Sequence, residues 1–350
     1  MAAAAVIGLL GSVALVTGPA GATPANTLYV STTGAASGSC ASPSTACANI
    51  NYAIGQAVAG DTIKVAAGTY DQTVAIGKPL RLIGAGSSST KINGAGLDPG
   101  GTDYGVVYVG TTDGAVSVTG FTITNPFPYA YTSGEPEVVA LADQNASDSV
   151  VISHDVISEG SSDPDATSDF PIGIDTFKNA ASTTITDDTI NGTYQGALLE
   201  DNGPVSFAHN TIKNLIAVTA DATTYAPVGL FFLSDLSGSL TGQDATGNRF
   251  THYAGYGVAM EAGYDNGNCS NTPCNGSISG AINRNRFALG GATGASAIDL
   301  QSQYAGNGLT ATVNGNRGYV TSPSQAIDQE ATDGATISVT ENGNRIVVRS

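Results

Sequence analysis

Three carboxylates, Asp175, Glu200 and Glu261, hold the third or fifth place of a recurring phrase: a small residue, then alternating apolar positions. Its copies read Gly105-Val-Val-Tyr-Val109, Gly173-Ile-Asp-Thr-Phe177, Gly196-Ala-Leu-Leu-Glu200, Gly229-Leu-Phe-Phe-Leu233 and Gly257-Val-Ala-Met-Glu261. They continue as Ala297-Ile-Asp-Leu-Gln301 and Ala326-Ile-Asp-Gln-Glu330, and Glu137-Val-Val-Ala-Leu141 fills the remaining interval. Alternation of this kind marks a strand with two unlike faces. The second and fourth places (Val258 with Met260, Ile298 with Leu300) belong to a core. The third and fifth then point outward: Asp175, Glu200, Glu261, Asp299, Gln301, Asp328 and Glu330, interrupted by the apolar Phe231 and Leu233.

Such a row can do acid–base chemistry. If the strands stack about 4.8 Å apart, carboxylates one or two strands apart are spaced as in paired-carboxylate glycoside hydrolysis. The same oxygens could chelate calcium. The row would also serve as the polar outer face that any soluble solenoid needs. Candidate catalytic groups are Asp175, Glu200 and Glu261. Candidate substrate contacts are Phe231, Tyr256, Tyr264 and Asp299, because flat aromatic faces suit sugar rings.

Two other sets are chemically notable. Arg249, Arg286, Arg317 and Arg345 each follow an Asn in a second repeated phrase. They could hold an anionic polymer or pair with acidic neighbours. The four cysteines fall in two close pairs, Cys40 with Cys47 and Cys269 with Cys274. In a secreted chain such pairs predict two local disulfides. A zinc site would use similar ligands, but no His lies near either pair.

The elements that position these residues come from the second phrase, which ends in Asp155, Asp188, Asn210, Asn248, Asn285, Asn316 and Asn344. Counted from Phe121, successive copies lie 34, 33, 22, 38, 37, 31 and 28 residues apart. The shortest interval suits one bare coil of a solenoid, and the longer ones suit coils carrying loops. Asn and Asp suit tight left-handed turns, and stacked amides can hydrogen-bond from coil to coil. Long insertions (125–137, 159–171, 214–227 and 263–275) would wall the outward face near Asp175, Glu200, Phe231 and Glu261. At the start, Leu28-Tyr-Val reads as a strand, and 48–59 has the apolar spacing of a helix that caps the open core.

Composition bounds the rest. The chain has 45 Gly, no Trp and a formal net charge of −17, a turn-rich β composition without the dense basic patch that nucleic acid demands. The apolar run 2–16, followed by small residues, reads as a secretory signal peptide over residues 1–25, although no Lys or Arg precedes it. No second run is long enough to span a membrane.

The run Ile50-Asn-Tyr-Ala-Ile-Gly-Gln-Ala-Val-Ala-Gly-Asp-Thr-Ile-Lys-Val-Ala-Ala-Gly-Thr-Tyr70, followed by a strand ending in Ile83-Gly-Ala-Gly86, resembles the opening of pectin-lyase-like proteins. The resemblance implies an all-β, single-stranded right-handed parallel β-helix of three sheets with an N-terminal capping helix. Residues 26–350 would form one domain, with 26–70 as cap and first coil. It often implies a substrate cleft along one outer sheet, and it implies no particular reaction. Motifs of the enzyme families on this fold are not matched: Asp187-Asp188 overlaps the ladder position, His209 lacks flanking glycines, and Arg-x-Lys does not occur. The expectation is a secreted, monomeric protein that acts on a polysaccharide as hydrolase or lyase, calcium being possible. The alternative is a non-catalytic glycan-binding surface or matrix protein.

Overall fold

A computed structural model of the protein describes residues 25–94, 105–110, 112, 114–125, 137–142, 149–159, 171–177, 181–200, 203–220, 223–234, 238–263, 276–290, 295–321 and 325–350. The chain winds through three all-parallel sheets of eleven, ten and nine strands. Sheet A runs from Thr27–Ala35 to Thr336–Asn342, sheet B from Gly68–Asp71 to Arg345–Arg349, and sheet C from Val74–Ile76 to Gln325–Ala331. Each coil contributes one strand to each sheet in the order A, B, C. This is a right-handed parallel β-helix, the hand that strand twist imposes on parallel crossovers.

Like stacks on like inside. In sheet A one inward column runs Val118, Ile152, Ile185, Phe207, Ala245, Ile282, Val313. The small Ala245 beside the large Phe207 keeps the column filled. In sheet B the column is Ile123, Ile157, Ile190, Ile212, Phe250, Phe287, and the last two rings stack at 5.2 Å.

The ladder residues stand at the turn from sheet A to sheet B, and each side chain bridges coils. Asn248 Oδ1 accepts the Asn210 backbone N–H at 2.8 Å, Asn285 that of Asn248 at 2.9 Å, and Asn316 that of Asn285 at 2.9 Å. Asp155 and Asp188 do the same for Phe121 and Asp155, at 2.6 and 2.7 Å. Each amide of Asn210, Asn248, Asn285, Asn316 and Asn344 also donates to a sheet A carbonyl. One expectation is corrected: the left-handed backbone falls one residue earlier, at His154, Asp187, His209, Gly247, Arg284, Gly315 and Gly343. The ladder position is selected for its bonds rather than its φ.

The predicted helix is shorter than 48–59. It spans Ile50–Gln56, capped by Asn49 accepting from the Tyr52 N–H at 2.9 Å, and it buries Ile50, Ala53 and Ile54 in the common core. Asp61, nearly fully buried, accepts the N–H groups of Asn26 and Val58, which gives the Gly-Asp-Thr-Ile motif its physical reason. Cys40 and Cys47 are disulfide-bonded. Cys269, Cys274 and Tyr264 lie outside the described residues, as do the insertions at 126–136, 160–170 and 264–275. The described part of 214–227 holds an antiparallel pair, Val218–Ala220 with Thr223–Tyr225.

Candidate active site on the outer face of sheet C

Sheet C carries the first phrase, and its strands begin at a tight corner. A Cβ on Gly257 would collide with the Ala297 carbonyl and the Phe287 ring. The pairing steps over this glycine, from Val228↔Tyr256 to Leu230↔Val258. The bend reverses the alternation, so the residue before the glycine faces outward like the third and fifth places. From there the expected orientation holds: Val258, Met260, Ile298 and Leu300 are fully buried in the core. In the first copy the register is one residue off, because Gly105 pairs with Glu137, and Glu137 with Ile172 rather than Gly173.

Two outward columns follow. One reads Asp175, Leu198, Phe231, Ala259, Asp299, Asp328; the other reads Glu200, Leu233, Glu261, Gln301, Glu330. Asp175 and Glu200 are on adjacent strands and two places apart along them, the same diagonal offset as Glu261 and Asp299. Glu200 and Glu261 share a column with Leu233 between them. The three candidate catalytic carboxylates therefore do not meet at one point. The acidic partner the register gives Glu261 is Asp299, diagonal to it on the next strand.

Between the two groups lies an apolar platform. Ile172, Leu198 and Leu233 form a cluster outside the main core with Phe231 packed on it. Phe231, named as a candidate substrate contact, packs on this cluster; Leu198 holds a third place and follows the alternation, whereas Ile172 escapes it. Ile172 is the residue before Gly173, at the place the corner turns outward.

Burial shapes the acidic end. Glu261 is 8% exposed and Asp299 3%. Burial pushes the Glu261 carboxyl up to about 8, with the Asp299 charge adding to it. Asp299 is raised by burial to about 6, held back by its bond from Gln301 and raised further by Asp328 and Glu330. Gln301 Nε2 donates to Asp299 Oδ2 at 2.9 Å. Glu261 Oε2 is buried with no hydrogen-bond partner among the described residues. The Tyr256 hydroxyl is held protonated to higher pH than usual by burial, then by the Asp299, Glu261 and Asp328 charges. No group of three or more His, Cys, Asp or Glu side chains among the described residues closes into a metal site.

No strand of sheet C contains a Lys or Arg. Near neutral pH the face therefore presents one protonated carboxyl, Glu261, beside an ionised one, Asp299. Two carboxyls whose surroundings push their acidities apart are the equipment of an acid–base pair.

The three sheets and the polar ladder define a right-handed parallel β-helix. No protein-family model matches the chain, and no curated protein matches it. Among solved structures it is similar to a rhamnogalacturonan lyase, with 11% identity, a TM-score of 0.45, and 91% of this chain and 87% of that one covered. It is also similar to a pectin methylesterase from carrot, with 12% identity, a TM-score of 0.43, and coverage of 93% and 84%. An alginate lyase from Paenibacillus sp. shows 15% identity, a TM-score of 0.38, and coverage of 93% and 99%. These are likenesses of fold at low identity, and no site residue is carried over from them.

Proposed function

We propose that the outer face of sheet C hydrolyses glycosidic bonds of an uncharged polysaccharide, with Glu261 as general acid and Asp299 as general base. The observation that carries this reading is the buried, unpartnered Glu261 Oε2 facing a more acidic carboxyl on the next strand. Glu261 gives its proton to the leaving glycosidic oxygen. Asp299 takes a proton from the water that attacks the anomeric carbon, and exchange with solvent restores both. Gln301 orients Asp299. The platform of Ile172, Leu198, Leu233 and Phe231 offers an apolar floor for sugar rings beside the pair. A face bearing Asp299, Asp328 and Glu330 without a cation repels uronate chains, which favours an uncharged glycan. The Cys40–Cys47 disulfide supports an oxidising, extracellular setting. No helix among the described residues is long and apolar enough to cross a membrane.

The test is digestion of a panel of neutral and acidic polysaccharides, following both new reducing ends and absorbance from unsaturated ends. The reading expects reducing ends alone, from a neutral glycan. Glu261→Gln and Asp299→Asn should each lower the rate by about 10²–10⁴-fold, while Glu200→Gln and Asp175→Asn, beyond the apolar platform, keep it within a few-fold. Unsaturated ends would replace this reading with a lyase, and silence across the panel would replace it with glycan binding alone.

A further inference from the structure

Sheet B carries the opposite charge from sheet C. Its last six strands, from Thr189–Asn191 to Arg345–Arg349, contain no Asp or Glu and hold Lys213, Arg249, Arg286, Arg317, Arg345 and Arg349. Those six are half of the 12 Lys and Arg of a chain with 29 acidic residues. Four of them stand in strict register: Arg249 pairs with Arg286, Arg286 with Arg317, and Arg317 with Arg345. All four are exposed. Among the described residues none has a carboxylate within salt-bridge distance, so the pairing that would have neutralised them is not made.

Like charges directly opposite on adjacent strands destabilise a sheet. A row of four such charges therefore lowers stability, and a bound polyanion would reverse that cost. The row also borders a trough of about 360 Å³ lined by Arg249, Thr251, Arg286, Ala288, Arg317 and Tyr319.

We propose that the outer face of sheet B binds a linear polyanionic glycan lying along the helix axis, with Arg249, Arg286, Arg317 and Arg345 taking successive anionic groups. The guanidinium forks repeat at about 4.8 Å, and each can donate a bidentate pair of hydrogen bonds to a carboxylate or sulfate. Glycan is favoured over nucleic acid on two grounds. Single strands are held by stacking bases on open aromatic faces, whereas the Tyr319 ring is already covered by the Arg349 guanidinium at 3.6 Å. A duplex is wide, and its flanks would meet the field of a chain with net charge −17.

Affinity electrophoresis of the full chain tests this, through gels containing polygalacturonate, dextran sulfate, neutral dextran or duplex DNA. The expected result is retardation by one or both anionic glycans and none by dextran. The double variant Arg286→Gln/Arg317→Gln should weaken it at least tenfold. It should also flatten the dependence of log affinity on log salt by roughly 0.7 per arginine removed. Glu261→Gln should bind like the wild type, which separates this face from the proposed hydrolase. The double variant should melt at or above the wild-type temperature in low salt, because in-register like charges are gone. Unchanged retardation of that variant, no retardation by either anionic glycan, tighter binding of DNA, or a lowered melting temperature would each overturn the proposal.

Discussion

Glu261 and Asp299 are both carboxyls on one sheet face, yet their acidities lie near 8 and near 6. Burial raises both; the difference comes from the Gln301 bond that favours the ionised form of Asp299, while no hydrogen bond relieves Glu261 Oε2. As an acid–base pair they should give a bell-shaped rate profile, with an acid limb near 6 and an alkaline limb near 8. Asp328→Asn tests the assignment. The Asp328 charge raises Asp299, so removing it lets the base ionise at lower pH. The acid limb should move down by roughly half a unit to one unit while the alkaline limb stays. A shift of the alkaline limb instead would exchange the two roles. The outward aim of Glu261 and Asp299 was legible in the sequence from the spacing of Val258 and Met260. Their pairing was less so. The fifth place of one phrase and the third of the next do lie diagonally, but Glu200 and Glu261 look equivalent until Leu233 is placed between them. Burial was not legible at all, because nothing local to Glu261 announces it.

At the level of elements, the ladder was the plainest signal, since the interval between copies changes while the residue type does not. Its physical basis was only half legible. Left-handed turns were expected at the Asn and Asp positions, whereas His154, Asp187, His209 and Arg284 adopt them one residue before. The sequence shows a polar residue after a turn, and only the bonds show which of two neighbours does which task. Asn285 illustrates those bonds. It accepts from the Asn248 backbone and side chain, and it donates to the Ala245 carbonyl and to Asn316, while fully buried. Asn285→Ala strands at least two buried partners and should cost roughly 2–5 kcal/mol. Asn344→Ala, in the last coil and only partly buried, should cost about 1 kcal/mol. Denaturant unfolding of both variants would measure the gap, and equal costs would contradict the view that burial sets the value of each rung.

Over the whole molecule, charge is sorted by sheet, acidic on C and basic along the later strands of B, and the buried carboxyls bias stability in one direction. Burial raises Asp155 to about 7 and Asp188 to about 8, the Asp155 and Asp187 charges adding to the latter. The ladder explains why. Asn210 and Asn248 use their side-chain amides to donate to Ile185 O and Phe207 O, a donor that an ionised Asp at the same ladder position lacks. Neither Asp155 Oδ2 nor Asp188 Oδ2 has a hydrogen-bond partner among the described residues. An ionised oxygen buried without a partner is costly, while a protonated one carries no charge to desolvate. Four folded-state values, for Asp155, Asp188, Glu261 and Asp299, thus lie above those of the unfolded chain. The folded state binds more protons than the unfolded one between about pH 4 and 8. That contribution is complete below pH 4 and is lost as pH rises through the folded values. Self-repulsion at net −17 acts in the same sense. The melting temperature should therefore fall by on the order of 5–10 °C between pH 5 and pH 8. Asp188→Asn, which supplies the amide donor used by the other rungs, should flatten that fall and add about 1–3 kcal/mol at pH 8 while changing little at pH 4. A variant that loses stability at pH 8 would mean that the Asp188 carboxylate is held ionised by a partner and that the ladder tolerates its charge.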